Sequence, residues 1–427
     1  MDPSVAQQVA VRALSPYETF FTAGSVTVWL SARLRGRLDR AALVEALGVV
    51  RAAHPVLRHQ IAMDGQGFTL VTGEEKAPPV SFKEATALEA PELWPLTPGS
   101  ALAAVDVVSS GDEHIVSFGA HHGVADARSA ACYNAQFWSA YTQIVTTGSV
   151  PEPAPGPIPA APEALLRERG VVELPTSGLE RLEGAVWGGR SAAVTSAFAE
   201  KEGRRILLDA ETTAALRRAG KARGVSLHGV VCGAVVKAER SLVAEPATGR
   251  AGIGLRSAVD IRDRVEPPIG AVEGTNLVAM AYAKVLVDAT SDPFELGSLI
   301  LGGLAADMAS GLLQQQIYHV LGDLAKPKSP AVYITNVGAF EPLTTPGGLV
   351  VEDIRGALEA DTATIARLQA AQGSEATSGA ASIYMVYAYE GRLAIEAGYP
   401  RGAFTADERD RLAAAVESNL REMAAAG

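Results

Sequence analysis

At 427 residues the chain is too long for one ordinary hydrophobic core and suits two domains of roughly 200 residues each. Its net charge of −11 excludes a general nucleic-acid binder, and 48% apolar with 20% charged residues is the balance of a folded globular enzyme. The two cysteines, Cys132 and Cys232, lie in apolar stretches without metal-ligand spacing, which excludes a disulfide-stapled scaffold and suits a reducing cytoplasm. Met1–Ala10 carries no signal pattern, and no run of about 18 apolar residues occurs, so a cytoplasmic chain without a membrane span is expected.

Ser25–Leu34 (SVTVWLSARL) is β-branched and aromatic and predicts a strand. Asp39 is an N-cap for a helix over Ala41–Ala53, in which Leu43, Ala46, Leu47 and Val50 share one face. His54-Pro55 ends that helix, because the residue before proline avoids the α region. Val56–Ile61 and Phe68–Val71 read as short strands around a Gly-rich turn. Arg33, Arg35, Arg37 and Arg40 form a basic cluster, either a solvated strand edge and helix start or a contact for coenzyme A phosphates or an acidic carrier protein.

Ala101–Val108 and His114–Ala120 predict two strands joined by a Ser-Ser-Gly-Asp turn, the second running directly into His121-His122. A helix is expected over Ala127–Val145. Six prolines in Gly148–Glu163 forbid helix and strand, which places a linker there and divides the chain into halves 1–163 and 164–427. From there to about Glu202 the signals are weak, as in a lid or wrapping segment. The second half reads as strand Arg204–Asp209, helices Glu211–Arg223 and Leu227–Val243, strand Gly252–Ile261, a charged turn Arg262–Gly270, and strand Asn276–Val287. It continues as helix Pro293–Met308, strand Ala331–Asn336, a hairpin of Ala381–Tyr389 with Arg392–Tyr399, and helix Asp407–Met423. Both halves place a Leu-Asp pair before an Ala/Leu-rich helix. Alternating strands and helices with some hairpins predict a mixed α/β sheet in each half, covered by helices.

The chemistry concentrates in His114–Arg128 (HIVSFGAHHGVADAR), a strand, a histidine loop and a helix in succession. Adjacent histidines on extended backbone point in opposite directions, so one faces a cleft while the other packs inward; they are poorly placed to share a metal. A neutral imidazole is suited to take a proton from a hydroxyl at cytoplasmic pH. Asp126 is placed to brace the loop or to pair with an arginine from elsewhere. The plainer alternative is two hydrogen-bonded histidines at a strand end.

The segment HHGVADA resembles the HHxxxDG motif of the condensation-domain superfamily, which includes peptide condensation domains, plant-type acyltransferases and polyketide-associated acyltransferases. Leu38–Arg58 with its HPVLR ending, Val259–Pro268 (VDIRDRVEPP), Tyr333–Gly338 (YITNVG) and the closing YAYEGRLAIEAGYPRGAFT are similar to further family segments, in the family's order. The polyketide-associated branch is the best match. The resemblance implies two chloramphenicol-acetyltransferase-like α/β halves in a V around a central channel. It gives His122 as general base, His121 as the first motif histidine, and Asp126 as a structural aspartate salt-bridged to Arg262. It gives Gly123 N–H, Thr335 and Asn336 as substrate-binding groups and candidate donors to the oxyanion. Three departures stand out: Ala127 replaces the motif glycine, Thr335 replaces serine, and no DFGWG-like segment is present.

The reading that follows is an O-acyltransferase without cofactor or metal. It moves an acyl group from acyl-CoA or an acyl carrier protein to a small-molecule alcohol in polyketide, lipid or other secondary metabolism. An amide-forming enzyme with an amine acceptor, a non-catalytic carrier-recruitment module, and a metal hydrolase using His121, His122 and Asp126 are the alternatives. His228 and His319 lie in helical runs and read as structural.

Overall fold

The computed structural model describes residues 9–65, 67–73, 79–190, 201–244, 249–324, 326, 329–365 and 380–426. Their elements begin with β1 (Ala10–Ala13), α1 (Pro16–Ala23), β2 (Thr27–Gly36), α2 (Arg40–Ala53), β3 (Gln60–Asp64), β4 (Gly67–Val71) and β5 (Val80–Glu84). Then come β6 (Ala103–Ser110), β7 (Glu113–His121), α3 (Ala127–Thr147), α4 (Pro162–Glu168), β8 (Lys201–Leu208), α5 (Ala210–Ala222) and α6 (Leu227–Arg240). The rest are β9 (Ala251–Asp260), β10 (Val278–Val287), α7 (Pro293–Ser310), α8 (Gln315–Leu324), β11 (Ala331–Ala339), β12 (Leu349–Glu359), β13 (Ala380–Tyr389), β14 (Arg392–Pro400) and α9 (Ala406–Ala425).

The chain forms two compact units, Met1–Gly170 with Val265–Leu277 and Glu341–Asp361, and Val171–Arg264 with Val278–Phe340 and Thr362–Gly427. This corrects the division into contiguous halves 1–163 and 164–427. Two segments of the nominal second half belong to the first unit, and strand pairing is one reason. β12 lies antiparallel to β2 over ten rungs and completes a five-stranded sheet of order β12-β2-β7-β6-β5.

That sheet is mixed, as expected: β5 runs parallel to β6, and the other pairs are antiparallel. Asp39 caps α2 by accepting the Ala42 N–H, and Leu43, Ala46, Leu47 and Val50 enter the core with Phe137, Trp138 and Tyr141 of α3. The expected strand at Val56 is instead a 3-10 turn over Pro55–Arg58, and β3 begins at Gln60. Proline at the first position fixes φ near −65°, which suits a helical turn. The basic cluster is largely neutralised: Arg33 pairs with Glu113 at 2.7 Å and also with Glu352, Arg35 with Glu352, and Arg40 with Glu84.

The second unit holds a six-stranded mixed sheet of order β10-β9-β11-β13-β14-β8. Its core takes in α5, α6, α7 and α9, with α6 almost wholly buried through Val230, Val231, Cys232, Ala234, Val235 and Val236. Asp209 caps α5 by accepting the Thr212 N–H, as Asp39 does for α2, so the repeated Leu-Asp has one physical meaning in both units. Of the segment read as a lid or wrapping stretch, residues 191–200 lie outside the described residues. Its described part includes α4 and a 3-10 turn over Leu179–Leu182.

β2 ends on Gly36, whose φ of +127° is left-handed, and a Cβ there would collide with the carbonyl oxygen of Gly348 at the start of β12. Gly36→Ala is therefore expected to cost at least about 1–3 kcal/mol, read as a lower denaturant midpoint with unchanged slope.

Candidate active site

The histidine loop is built as a strand, a turn and a capped helix. His121 is the last residue of β7, and its N–H donates to Leu102 O at 2.9 Å. The His122 N–H donates to Val26 O at 2.6 Å, and the N–H groups of Val124 and Ala125 both return to His121 O. Asp126 then caps α3: its Oδ1 accepts the Ser129 N–H at 3.0 Å, and Ser129 Oγ accepts the Asp126 N–H at 2.9 Å. The other oxygen of Asp126 accepts the Leu277 N–H at 2.8 Å. Ala127 is the first helical residue and has no positive φ, so the motif's glycine is replaced here without backbone strain.

The residue before Leu277 reaches the second histidine. Asn276 Nδ2 stands 2.9 Å from His122 Nδ1 and donates to His122 O at 3.2 Å. Phe21 of α1 stacks on the His122 ring, with centroids 4.3 Å apart and 21° between planes. Thr275 Oγ1 donates to Glu18 Oε1 at 2.7 Å, and Glu18 also holds Arg12 and the Ser15 N–H. Three consecutive residues, Thr275, Asn276 and Leu277, thus fasten the loop from outside its own sequence, and all three are buried.

The two imidazoles differ. His121 is fully buried, and its Nδ1 accepts the Gly123 N–H at 3.0 Å, so the neutral ring carries its proton on Nε2. Burial, reinforced by the charge of a protonated His122, pushes the His121 pKa down to about 3. It is a neutral spacer at every physiological pH. His122 is also shifted down by burial, opposed by the Asp126 charge and by the backbone carbonyls of His122 and Ala125. A ring so placed is unprotonated at neutral pH, as proton abstraction requires.

The other expected site residues divide by unit. The Gly123 N–H is committed to His121 Nδ1, which corrects the expectation that it serves an oxyanion. Its glycine is a matter of space, since a Cβ would collide with Thr22 Oγ1. Arg262 lies in the second unit, buried, with Nη1 3.2 Å from Asp260 Oδ1. Thr335 and Asn336 lie on β11 of that unit, and Asn336 Oδ1 accepts the Gly338 N–H at 3.0 Å. His228 lies beside Cys232, whose thiol burial raises to about 12, and His319 Nε2 is bonded to Leu174 O at 2.6 Å. Among the described residues no three His, Cys, Asp or Glu side chains converge on a metal site, and no single helix is long and apolar enough to cross a membrane.

Phe21, Glu18, Thr275, Asn276 and Leu277 were not expected from sequence. Ser15-Pro16-Tyr17-Glu18 is a capping box with proline at the first helical position, and that signal locates α1 and hence Phe21. Nothing local marks Asn276; only the fold brings it to His122.

Residues 199–398 match a family model described as phthiocerol/phthiodiolone dimycocerosyl transferase C-terminus. The phthiocerol/phthiodiolone dimycocerosyl transferase of Mycobacterium tuberculosis (strain ATCC 25618 / H37Rv) is 29% identical over 364 residues, covering 81% of this chain and 85% of that protein. Its counterpart in Mycobacterium leprae (strain TN) is also 29% identical, over 371 residues, covering 81% of this chain and 85% of that protein. The structure of polyketide synthase associated protein 5 from Mycobacterium tuberculosis superposes with a TM-score of 0.78 at 25% identity, covering 97% of this chain and 98% of that one. The first condensation domain of the CDA synthetase shares the fold alone, with a TM-score of 0.66 at 16% identity and coverage of 98% and 97%. With its HHxxxD loop and a mixed, helix-covered sheet in each unit, the chain resembles the condensation-domain and chloramphenicol-acetyltransferase-like superfamily. It is similar to the polyketide-associated acyltransferases, and it is an O-acyltransferase of polyketide or lipid biosynthesis.

Two stability measurements follow from this geometry. Asp126→Ala removes the α3 cap and strands the Leu277 N–H, at an expected cost of about 2–4 kcal/mol by denaturant unfolding. His121 has a folded pKa near 3 and an unfolded value of about 6.5, so below pH 6.5 the unfolded chain takes up a proton that the folded ring refuses. Its contribution is fully present above that pH and is lost as pH falls from about 6.5 toward 3. The slope, on the order of 1 kcal/mol per pH unit, should be reduced in His121→Asn.

Proposed function

We propose that the acyl donor is a thioester, delivered by coenzyme A or an acyl carrier protein, and that His122 is the general base. Nε2 of His122 takes the proton of the acceptor hydroxyl as its oxygen attacks the thioester carbonyl. A tetrahedral oxyanion forms and collapses, expelling the thiolate, which recovers the proton from the imidazolium. The observation that carries this reading is the buried His122 ring, kept neutral by burial and fixed between Phe21 and Asn276.

The tautomer matters. With Asn276 Nδ2 donating to Nδ1, the neutral ring holds its proton on Nε2. Base action needs the proton on Nδ1 and the lone pair on Nε2. The carbonyls of His122 and Ala125 near the ring support that form, and turning the Asn276 amide would present Oδ1 to the Nδ1–H. Asn276 is thus a positioning residue in this mechanism.

With Gly123 committed elsewhere, the Thr335 hydroxyl and the Asn336 amide group are the substrate-binding donors of this reading. Relatives named for dimycocerosyl transfer to phthiocerol or phthiodiolone favour a hydroxylated acceptor of polyketide or lipid type here. The pairing of Asp126 with Arg262 enters as a proposal, and a double-mutant cycle on unfolding that returns no coupling removes it.

The test offers pooled alcohols and amines with acyl-CoAs and acyl carriers to the purified protein and reads products by mass spectrometry. His122→Ala should lower turnover by at least about 10², and Asn276→Ala by about tenfold. With the wild type, kcat/KM should stay level through neutrality and fall only on the acid side of the ordinary histidine range, about 6.5, where the ring protonates. Undiminished turnover by a folded His122→Ala protein would sink the assignment. Products only from amines would replace the ester by an amide.

A further inference from the structure

The sheet of the second unit carries a charged group that the proposed chemistry does not use. Side chains alternate between the faces of a strand. Ile253 and Leu255 of β9 belong to the helix-covered core, which puts Arg256 on the other face. There one rung reads Tyr282, Arg256, Tyr333 across β10, β9 and β11. The guanidinium carbon stands 5.8 Å from the Tyr282 ring centroid and 5.6 Å from that of Tyr333.

Arg256 is 8% exposed, and its Nε and Nη2 have no hydrogen-bond partner. Among the described residues no carboxylate pairs with it, and neither tyrosine hydroxyl makes a hydrogen bond. A buried unpaired cation is strongly unfavourable, and two aromatic faces offset only part of that. Charge-assisted hydrogen bonds to an anion are the interaction this group lacks.

The neighbouring rungs set the direction of approach. On one side Gly254 is covered by Ala185 and by the Pro330 carbonyl. On the other side the rung Met280, Ala258, Thr335 is half-buried throughout, and it lies two residues, or about 7 Å, along the strands. We propose that Arg256, flanked by the hydroxyls of Tyr282 and Tyr333, binds an anionic group of a substrate, a carboxylate or a phosphate, that enters past Thr335. The assignment of that anion to a substrate rests on Thr335 facing substrate; the anion site itself rests on Arg256 alone.

The test has a binding arm and a kinetic arm. In the first, thermal unfolding of the full chain is followed in inorganic phosphate, in coenzyme A and in acetate, each against chloride at equal ionic strength. The wild type should be stabilised by at least one of them, and Arg256→Met should not respond. Without anion Arg256→Met should unfold at the same or a higher temperature, because an unpaired buried charge has gone. Arg256→Lys, which keeps the charge, should retain part of the response. A response to phosphate and coenzyme A marks a phosphate site; a response to acetate alone marks a carboxylate site.

In the kinetic arm Arg256→Met should raise KM about 10- to 100-fold for the substrate that bears the anion, with kcat and the KM of the other substrate little changed. Equal responses of wild type and Arg256→Met, no response from either, or a lower unfolding temperature for Arg256→Met without anion would each overturn the site. Loss of turnover in every assay would sink the proposed function and leave the binding arm to decide this one. Anion binding with unchanged KM for both substrates would overturn the substrate assignment.

Discussion

Asp126 uses its two carboxylate oxygens in different directions, and the geometry of the histidine loop depends on that division. One oxygen closes the first turn of α3, and the other holds the N–H of Leu277, a residue 151 positions away in the chain. Fixing the start of α3 fixes the turn that links it to β7. Fixing Leu277 brings Asn276 to His122 and Thr275 to Glu18. A buried carboxylate with several N–H and O–H donors is the inexpensive way to keep a charge inside a protein, and here the donors are also the parts that must be positioned.

The two histidines show how one backbone alternation separates two tasks. His121 turns inward, accepts the Gly123 N–H and stays neutral far into the acid range. Its work is to hold the turn at a spacing that only glycine at position 123 permits. His122 is also depressed by burial, but Asp126 and nearby carbonyls pull the other way. The net shift is downward, so the ring is neutral at physiological pH. A stacked phenyl ring and an amide restrict its motion, which is the pre-organisation that the proposed general base would require.

The fold supplies these contacts by returning the chain to a unit it has already left. Val265–Leu277 brings Thr275, Asn276 and Leu277 to the histidine loop, and Glu341–Asp361 adds the edge strand β12 to the sheet that carries β7. Likeness to solved structures at 16% identity speaks only for the sheet and helix framework. The chemistry depends on the side chains that this framework carries. The same separation applies in the second unit, where Arg256 shares a sheet with a well-packed apolar core yet faces away from it.

Much of this was determined locally by sequence. Asp39, Asp126 and Asp209 precede helices because a short carboxylate can cap the residues that follow it, and strand periodicity in Thr27–Gly36 and Glu113–His121 needs no partner to be read. The HHxxxD loop was legible through its resemblance to the superfamily motif, and its turn and cap close within nine residues, His121–Ser129. The missed elements were short or edge pieces such as β1, β5 and β12, whose form depends on the strand beside them. The units could not be read as contiguous halves, because pairing between β2 and β12 leaves no trace in either segment alone. Asn276, Phe21 and the burial of Arg256 were decided by tertiary structure. Their roles are relations between distant side chains, and a hydrogen bond or a stacked ring is specified by position in space, which local propensity does not encode.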